Sequence, residues 1–249
     1  MRVLVGTCGF ATSKNTYFKK FNTVEIQETF YNIPSEKTAK KWKEEAPEDF
    51  VYTLKAWQGI THPASSPTWK RYKGKQKINL ANYGNFMPTK EVFEAWKATA
   101  EFAKALGAKI IIFQSPPSFE PSMRNKGNVE NFFSSIERYG FKLGWEPRGE
   151  WLNEKTVLKQ IIEKYDLIHV VDPFWDQPVV EQEVRYFRLH GLGRRYNYKY
   201  EYTSKDLEKL LKIVLEQGFE EVYVMFNVIS MMKTAEEFLK LLKKQKIYP

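Results

Sequence analysis

A single (β/α)8 barrel spanning residues 1–249 is the fold this sequence predicts, and three features predict it. Short β-branched or aromatic runs recur eight times along the chain. Turn residues and helical apolar patterns separate most of them, as alternating β and α units require. A length of 249 residues suits eight such units, whereas a doubly wound open sheet normally uses fewer strands.

Strands are expected at residues 2–6, 23–27, 51–55, 109–114, 142–146, 167–172, 184–190 and 221–227. Residues 89–106 place Val92, Trp96, Ala100 and Ala103 at helical spacing and stop at Gly107, a residue suited to a helix C-terminus. Asn153 is the expected cap of a helix burying Val157, Leu158, Ile161 and Ile162, and Ser204 of one burying Leu207, Leu210, Leu211 and Val214 before Gly218. Thr234 with Glu237 reads as a capping box ahead of Phe238, Leu241 and Leu242. Two connections are irregular. The link between strands six and seven is short, with Pro173 and Pro178 opposing a helix, and the long stretch 56–87 after strand three reads as a functional loop. No internal repeat or low-complexity linker divides the chain.

A hydrophobic share of 43%, with 7 Trp, 14 Tyr and 18 Phe, supplies a large core and argues against disorder. No apolar run is long enough for a membrane span, and the first residues lead into a strand rather than a signal peptide. The lone cysteine, Cys8, excludes an internal disulfide and a cysteine-based zinc site, so a cytoplasmic setting is expected. The net charge of +9 favours anionic partners. It is concentrated in Lys-Arg-Tyr-Lys-Gly-Lys-Gln-Lys at 70–77 and in Arg194, Arg195 and Lys199, although solvated surface is the ordinary reading of any one such run.

In a barrel the site lies at the carboxyl ends of the strands, so the closing residues of each strand are the informative ones. Period-two alternation turns Glu25 and Gln27 to one face, opposite Val24 and Ile26. The same count selects Lys55, Gln114, Glu146, Arg188, His190 and Asn227, and Asp172 closes strand six. Buried charges need partners, hydration or a ligand, since an unpaired one costs several kcal/mol. Glu25 is expected to pair with Arg188 or Lys55, and a purely structural ion bridge is as good a reading of Glu25–Arg188 as a functional one. Lys55, Glu146, Arg148, Asp172 and His190 are harder to explain as structure alone. His62, in the loop after the strand carrying Lys55, is a candidate for the site or for capping local backbone.

Several segments resemble the family named domain of unknown function 72 (DUF72). They are Val24-Glu25-Ile26-Gln27-Glu28-Thr29-Phe30-Tyr31-Asn32-Ile33-Pro34, residues 50–56 with Ile60-Thr61-His62, and Phe113-Gln114-Ser115-Pro116-Pro117-Ser118-Phe119. Gly144-Trp145-Glu146-Pro147-Arg148, Val171-Asp172, Arg188-Leu189-His190-Gly191 and Phe226-Asn227 continue the match in order. The resemblance implies a TIM barrel whose motif residues line one cavity, and it implies no particular reaction. The sequence departs from the family's usual pattern at Cys8, Phe10, Gln27 and Val228. Serine more usually stands where Cys8 does, which argues against a thiol nucleophile.

Arginine forks and a lysine suit phosphate or carboxylate, so Lys55, His62, Gln114, Arg148, Arg188 and Asn227 are the expected substrate-binding residues. Glu146, His190, Asp172 and Glu25 are the expected catalytic set. His190 and Glu146 would exchange protons, Glu25 would orient Arg188, and Asp172 would orient His190 or ligate metal. Glu25, Glu146, Asp172, His190 and His62 would also suit one divalent metal ion, although the neighbouring cations oppose it. The resulting expectation is an enzyme, with hydrolysis as its reaction, acting on a small phosphate-bearing anion. The alternative is a nucleic-acid-binding or nuclease-like protein using Trp57, Trp69, Arg71, Tyr72, Arg194, Tyr196 and Tyr198 as a basic, stacking rim; ordinary packing is the rival reading of those aromatics.

Overall fold

The computed structural model describes residues 1–74, 78–216 and 219–247. In chain order the elements are β1 (Arg2–Thr7), α1 (Lys14–Phe18), β2 (Thr23–Ile26), α2 (Glu28–Tyr31), α3 (Glu36–Glu45), β3 (Val51–Lys55), α4 (Gln58–Thr61), α5 (Lys90–Leu106), β4 (Ile110–Gln114), α6 (Met123–Ser135), β5 (Lys142–Glu146), α7 (Lys155–Lys164), β6 (Leu167–Val171), β7 (Val184–Leu189), α8 (Ser204–Val214), β8 (Glu221–Phe226) and α9 (Met231–Lys244). The strands form one sheet in the order β1-β8-β7-β6-β5-β4-β3-β2. The fold is a (β/α)8 barrel, with β8 pairing back onto β1 in parallel. Every strand expected from the sequence is present, with ends shifted by no more than a residue.

The chain divides into two compact units. The first comprises Met1–Glu25, Glu45–Val51 and Ile168–Pro249. Here β7 lies parallel to β8 with Tyr186 opposite Tyr223 and Arg188 opposite Met225, and the two tyrosine rings stack at 5.2 Å. Leu207, Leu210 and Val214 of α8 and Phe238 and Leu242 of α9 are buried, at the i, i+3, i+4 and i+7 spacings of a one-sided helix. The link between β6 and β7 contains no helix, as Pro173 and Pro178 require.

The second unit comprises Ile26–Glu44 and Tyr52–Leu167. Its strands run β3, β4, β5 in parallel, placing Lys55 opposite Ile112, Phe113 opposite Trp145 and Gln114 opposite Glu146. One face of β4 and β5 therefore carries aromatics, and Phe86, Phe132 and Phe133 pack around Phe113. Thr89 caps α5 by accepting from the Val92 amide, and Gly107 closes it with φ of +75°, the left-handed turn that glycine adopts without strain.

Three caps differ from expectation. The residue before α7 is Glu154 rather than Asn153, and Asn153 bonds Glu150 instead. Thr203, not Ser204, caps α8, in a box with Asp206. Helix α9 begins a turn before Thr234, whose hydroxyl donates back to the Ser230 carbonyl, so Thr234 and Glu237 form no capping box. Gly218 lies outside the described residues.

Thr203→Ala removes the hydroxyl that accepts from the Asp206 amide and opens the box. Urea denaturation should show a loss of about 1 kcal/mol, within the roughly 0.5–2 kcal/mol seen for such caps, while Ser204→Ala should change stability by less.

Candidate functional site

In the second unit, Lys55, His62, Glu146 and Arg148 are all nearly buried and interact electrostatically. Lys55 closes β3, and its Nζ stands 3.5 Å above the centre of the Phe30 ring. That buried ring also meets His62 edge-on at 4.8 Å, so one aromatic separates and seats both groups. Glu146 closes β5 and accepts from Arg148 Nε at 2.6 Å. Burial, with the charges of Lys55 and Arg148, pushes the His62 imidazole down to about 2, and Glu146 opposes this only in part. His62 is therefore neutral at physiological pH, and its Nδ1 lies 2.7 Å from the Thr61 hydroxyl.

The backbone around His62 is held by a strap rather than by a strand. The amides of Gly84, Asn85 and Phe86 donate to the carbonyls of Gly59, Thr61 and Ile60. Gly84 has φ of +88°, and a Cβ there would lie 2.3 Å from the His62 carbonyl oxygen. Only glycine permits that approach. Gln114 ends β4 beside Glu146 and is nearly buried, yet its side chain makes no hydrogen bond among the described residues.

In the first unit, Glu25 and Arg188 form a buried, two-pronged ion pair, with Nε–Oε2 of 3.0 Å and Nη2–Oε1 of 2.9 Å. Tyr186 donates its hydroxyl to Glu25 at 2.9 Å, and Arg188 Nη2 also reaches Cys8 Sγ at 3.6 Å. Burial and the Glu25 charge hold the Cys8 thiol far above its usual range, so it is a thiol rather than a thiolate. Asp172 follows β6 and accepts from the His190 backbone amide at 2.8 Å, while its Oδ2 lies 3.7 Å from His190 Nδ1. Tyr196 and Tyr198 stand edge-on to the His190 ring. Half-buried Asn227 donates its backbone amide to Leu189, and its side chain makes no hydrogen bond among the described residues.

Lys55, His62, Glu146 and Arg148 thus interact in the second unit, while in the first Glu25 pairs with Arg188 and Asp172 bonds His190. Glu25 has the cationic partner that its depth required. Of the loop aromatics, those following β3 pack against one another, whereas Tyr198 is exposed. Trp57 and Trp69 are nearly buried and meet each other and Tyr72, and Arg71 lies over Tyr31. Lys75 and Lys77 of the basic run lie outside the described residues. Among the described residues no three His, Cys, Asp or Glu side chains cluster in a way that would hold a metal ion, so the ligand set considered from the sequence does not assemble. Likewise, no helix among them is long and apolar enough to cross a membrane.

Sequence reasoning missed Phe30, Tyr186, Gln58 and His169. Alternation in β7 puts Tyr186 on the same face as Arg188 and would have found it. Gln58 is fully buried with neither side-chain atom hydrogen-bonded among the described residues, and no pattern marks it. His169 accepts from the Val179 amide at 3.1 Å and so ties down the β6–β7 link.

An eight-stranded α/β barrel with ionised side chains at the carboxyl ends of its strands defines the structural class. The chain belongs to the DUF72 family, described as protein of unknown function DUF72, whose model matches residues 12–248. It is 24% identical over 243 residues to the UPF0759 protein YunF of Bacillus subtilis (strain 168), covering 85% of this chain and 78% of that protein. The crystal structure of the DUF72 family protein EF0366 from Enterococcus faecalis V583 superposes with a TM-score of 0.76 at 19% identity, over 99% of this chain and 98% of that one. For the DUF72 family protein TM1631 from Thermotoga maritima MSB8 the TM-score is 0.71 at 23% identity, over 98% of this chain and 100% of that one.

Two outcomes follow from this geometry. His62 is neutral in the folded chain down to about pH 2 but takes a proton near pH 6.5 when unfolded. Below pH 6.5 the unfolded state binds the extra proton, so stability falls with pH by up to about 1.4 kcal/mol per unit from this group alone. Urea titrations at pH 7.5, 5.5 and 4.5 should show a steeper decline for the wild type than for His62→Gln. Arg188→Met strips the buried Glu25 carboxylate of its cation and should cost about 3–5 kcal/mol; Glu25→Gln in the same chain should recover part of that loss.

Proposed function

We propose that this protein is an enzyme that binds a small phosphate-bearing anion at the carboxyl ends of its strands and hydrolyses it by acid–base chemistry. The observation that carries this reading is the cluster of nearly buried side chains at the ends of β3 and β5, where Lys55, Arg148 and Glu146 surround a His62 imidazole kept neutral by burial first and by the two cations second. Two nearly buried cations beside one another supply the charge-assisted hydrogen bonds that a phosphate group takes. Lys55 and Arg148 bind the anion in this reading. His62, being neutral, adds a hydrogen bond without competing for charge. Arg188 is left to Glu25 as part of the framework, because it holds both carboxylate oxygens, whereas Arg148 Nε and Nη2 both meet the single oxygen Oε1 of Glu146.

Glu146 is the proton acceptor nearest these cations. It takes a proton from the attacking water as the phosphorus–oxygen ester bond breaks, and returns that proton to the departing alkoxide.

The experiment is a thermal-shift series with inorganic phosphate and a panel of phosphate monoesters. A ligand at 100 times its Kd should stabilise the wild type by about 2.7 kcal/mol. Lys55→Met should weaken anion binding roughly ten- to a hundredfold, equivalent to about 1.5–3 kcal/mol for a charged hydrogen bond. For any monoester that is turned over, Glu146→Gln should lower kcat about a hundredfold or more. Failure of every anion to shift the wild-type melting temperature would sink the proposal. A response confined to oligonucleotides and falling steeply with salt would instead mark a polymer binder.

A further inference from the structure

Apart from the buried cluster, the second unit contains a cavity of about 390 Å3, within the range of small-molecule sites. Its polar lining is Ser65, Tyr83, Asn85, Arg124, Asn125 and Asn128. Three asparagines and one arginine are an unusual set for packing, and their hydrogen bonds leave specific capacity. Asn85 contributes a buried side-chain Oδ1 with no hydrogen-bond partner among the described residues. Its backbone carbonyl is already satisfied by Asn128 Nδ2 at 3.0 Å, and Asn125 Nδ2 is spent on the Glu120 carbonyl at 2.8 Å. Each Nδ2 carries two N–H donors, so beyond these bonds the three amides keep donor capacity as well as acceptor oxygens, the Asn85 Oδ1 among them. Arg124, exposed on the first turn of α6, makes no ion pair or hydrogen bond among the described residues.

We infer that this cavity binds a polyhydroxylated ligand carrying one anionic group, a sugar phosphate or a sugar acid, with Arg124 on the anion and the asparagine oxygens on the hydroxyls. The lining favours a ligand that combines an anion with hydroxyl groups. Inorganic phosphate would engage Arg124 but bring few donors to the amide oxygens, and a neutral sugar would serve the amides while leaving the guanidinium to water. Asn85 is held for this task by its left-handed backbone, φ of +52°, a conformation that asparagine tolerates better than most residues. The same strap that seats His62 thereby presents Asn85 to the cavity. The site does not depend on the anion-binding role proposed for Lys55 and Arg148.

Isothermal titration of the full chain with ribose 5-phosphate, gluconate, ribose and inorganic phosphate tests the assignment and separates the two sources of the anionic group. At least one of the first two should bind at least tenfold more tightly than either of the last two. In the Lys55→Met background, which weakens anion binding at the buried cluster, Arg124→Ala, a change at an exposed side chain, should bring that ligand down to the affinity of ribose, and Ala81→Trp, which fills the cavity wall, should abolish binding. Lys55→Met should leave it intact. The inference is overturned if neither sugar anion binds the wild type. It is equally overturned if binding survives Arg124→Ala and Ala81→Trp in that background, or if it disappears in Lys55→Met alone, which would place the anion at the buried cluster and support the other proposal alone.

Discussion

The ion pair between Glu25 and Arg188 is the constraint around which the first unit is arranged. Period-two geometry sends every second residue of a barrel strand inward, whatever its charge. An inward carboxylate near a strand end must therefore meet its partner through register, not through side-chain search. Strand β7 supplies two groups at once, because Tyr186 and Arg188 are two residues apart on one face and both reach the same carboxylate. The Cys8–Glu25 bridge, with the Gly9 amide donating to the Glu25 carbonyl, fixes the backbone from which that carboxylate projects. Slipping β7 by one residue would replace Tyr186 and Arg188 with Phe187 and Leu189 and leave a bare charge inside.

The second unit handles buried charge in another way. Its cations are seated on an aromatic ring and a carboxylate, and its histidine gives up its charge instead of finding a counterion. Phe30 is central to this arrangement, since its face receives Lys55 and its edge meets His62. The charges of Lys55 and Arg148 add to burial in holding the His62 imidazole neutral.

Much of this was legible in the sequence because strand alternation is local and rigid. The positions of β3, β5 and β7, and the inward direction of Lys55, Glu146 and Arg188, follow from counting residues. Helix caps were less legible where two competent residues stand side by side. Thr203 and Ser204 are chemically interchangeable as caps, and the choice falls on the residue whose backbone is extended when the Asp206 amide arrives. Asn153 was taken by a side-chain contact with Glu150, and Thr234 by bonding within a helix that starts earlier. The strap of residues 84–86 against 59–61 was invisible, because two irregular segments some 25 residues apart carry no periodic signal. Whether a buried arginine serves a ligand or a framework was equally unreadable, since that depends on where the partner carboxylate lies.

The position of the single cysteine gives the barrel a built-in reporter. Cys8 lies against the Arg188 guanidinium, nearly buried and held in its protonated form. Only the thiolate attacks an alkylating or disulfide reagent, and it emerges when the ion pair parts and water enters. The rate at which a thiol reagent labels the native chain therefore counts openings of the Glu25–Arg188 lock, one molecule at a time, without any engineered probe. Because the chain has no second thiol, nothing else in the molecule contributes to that signal.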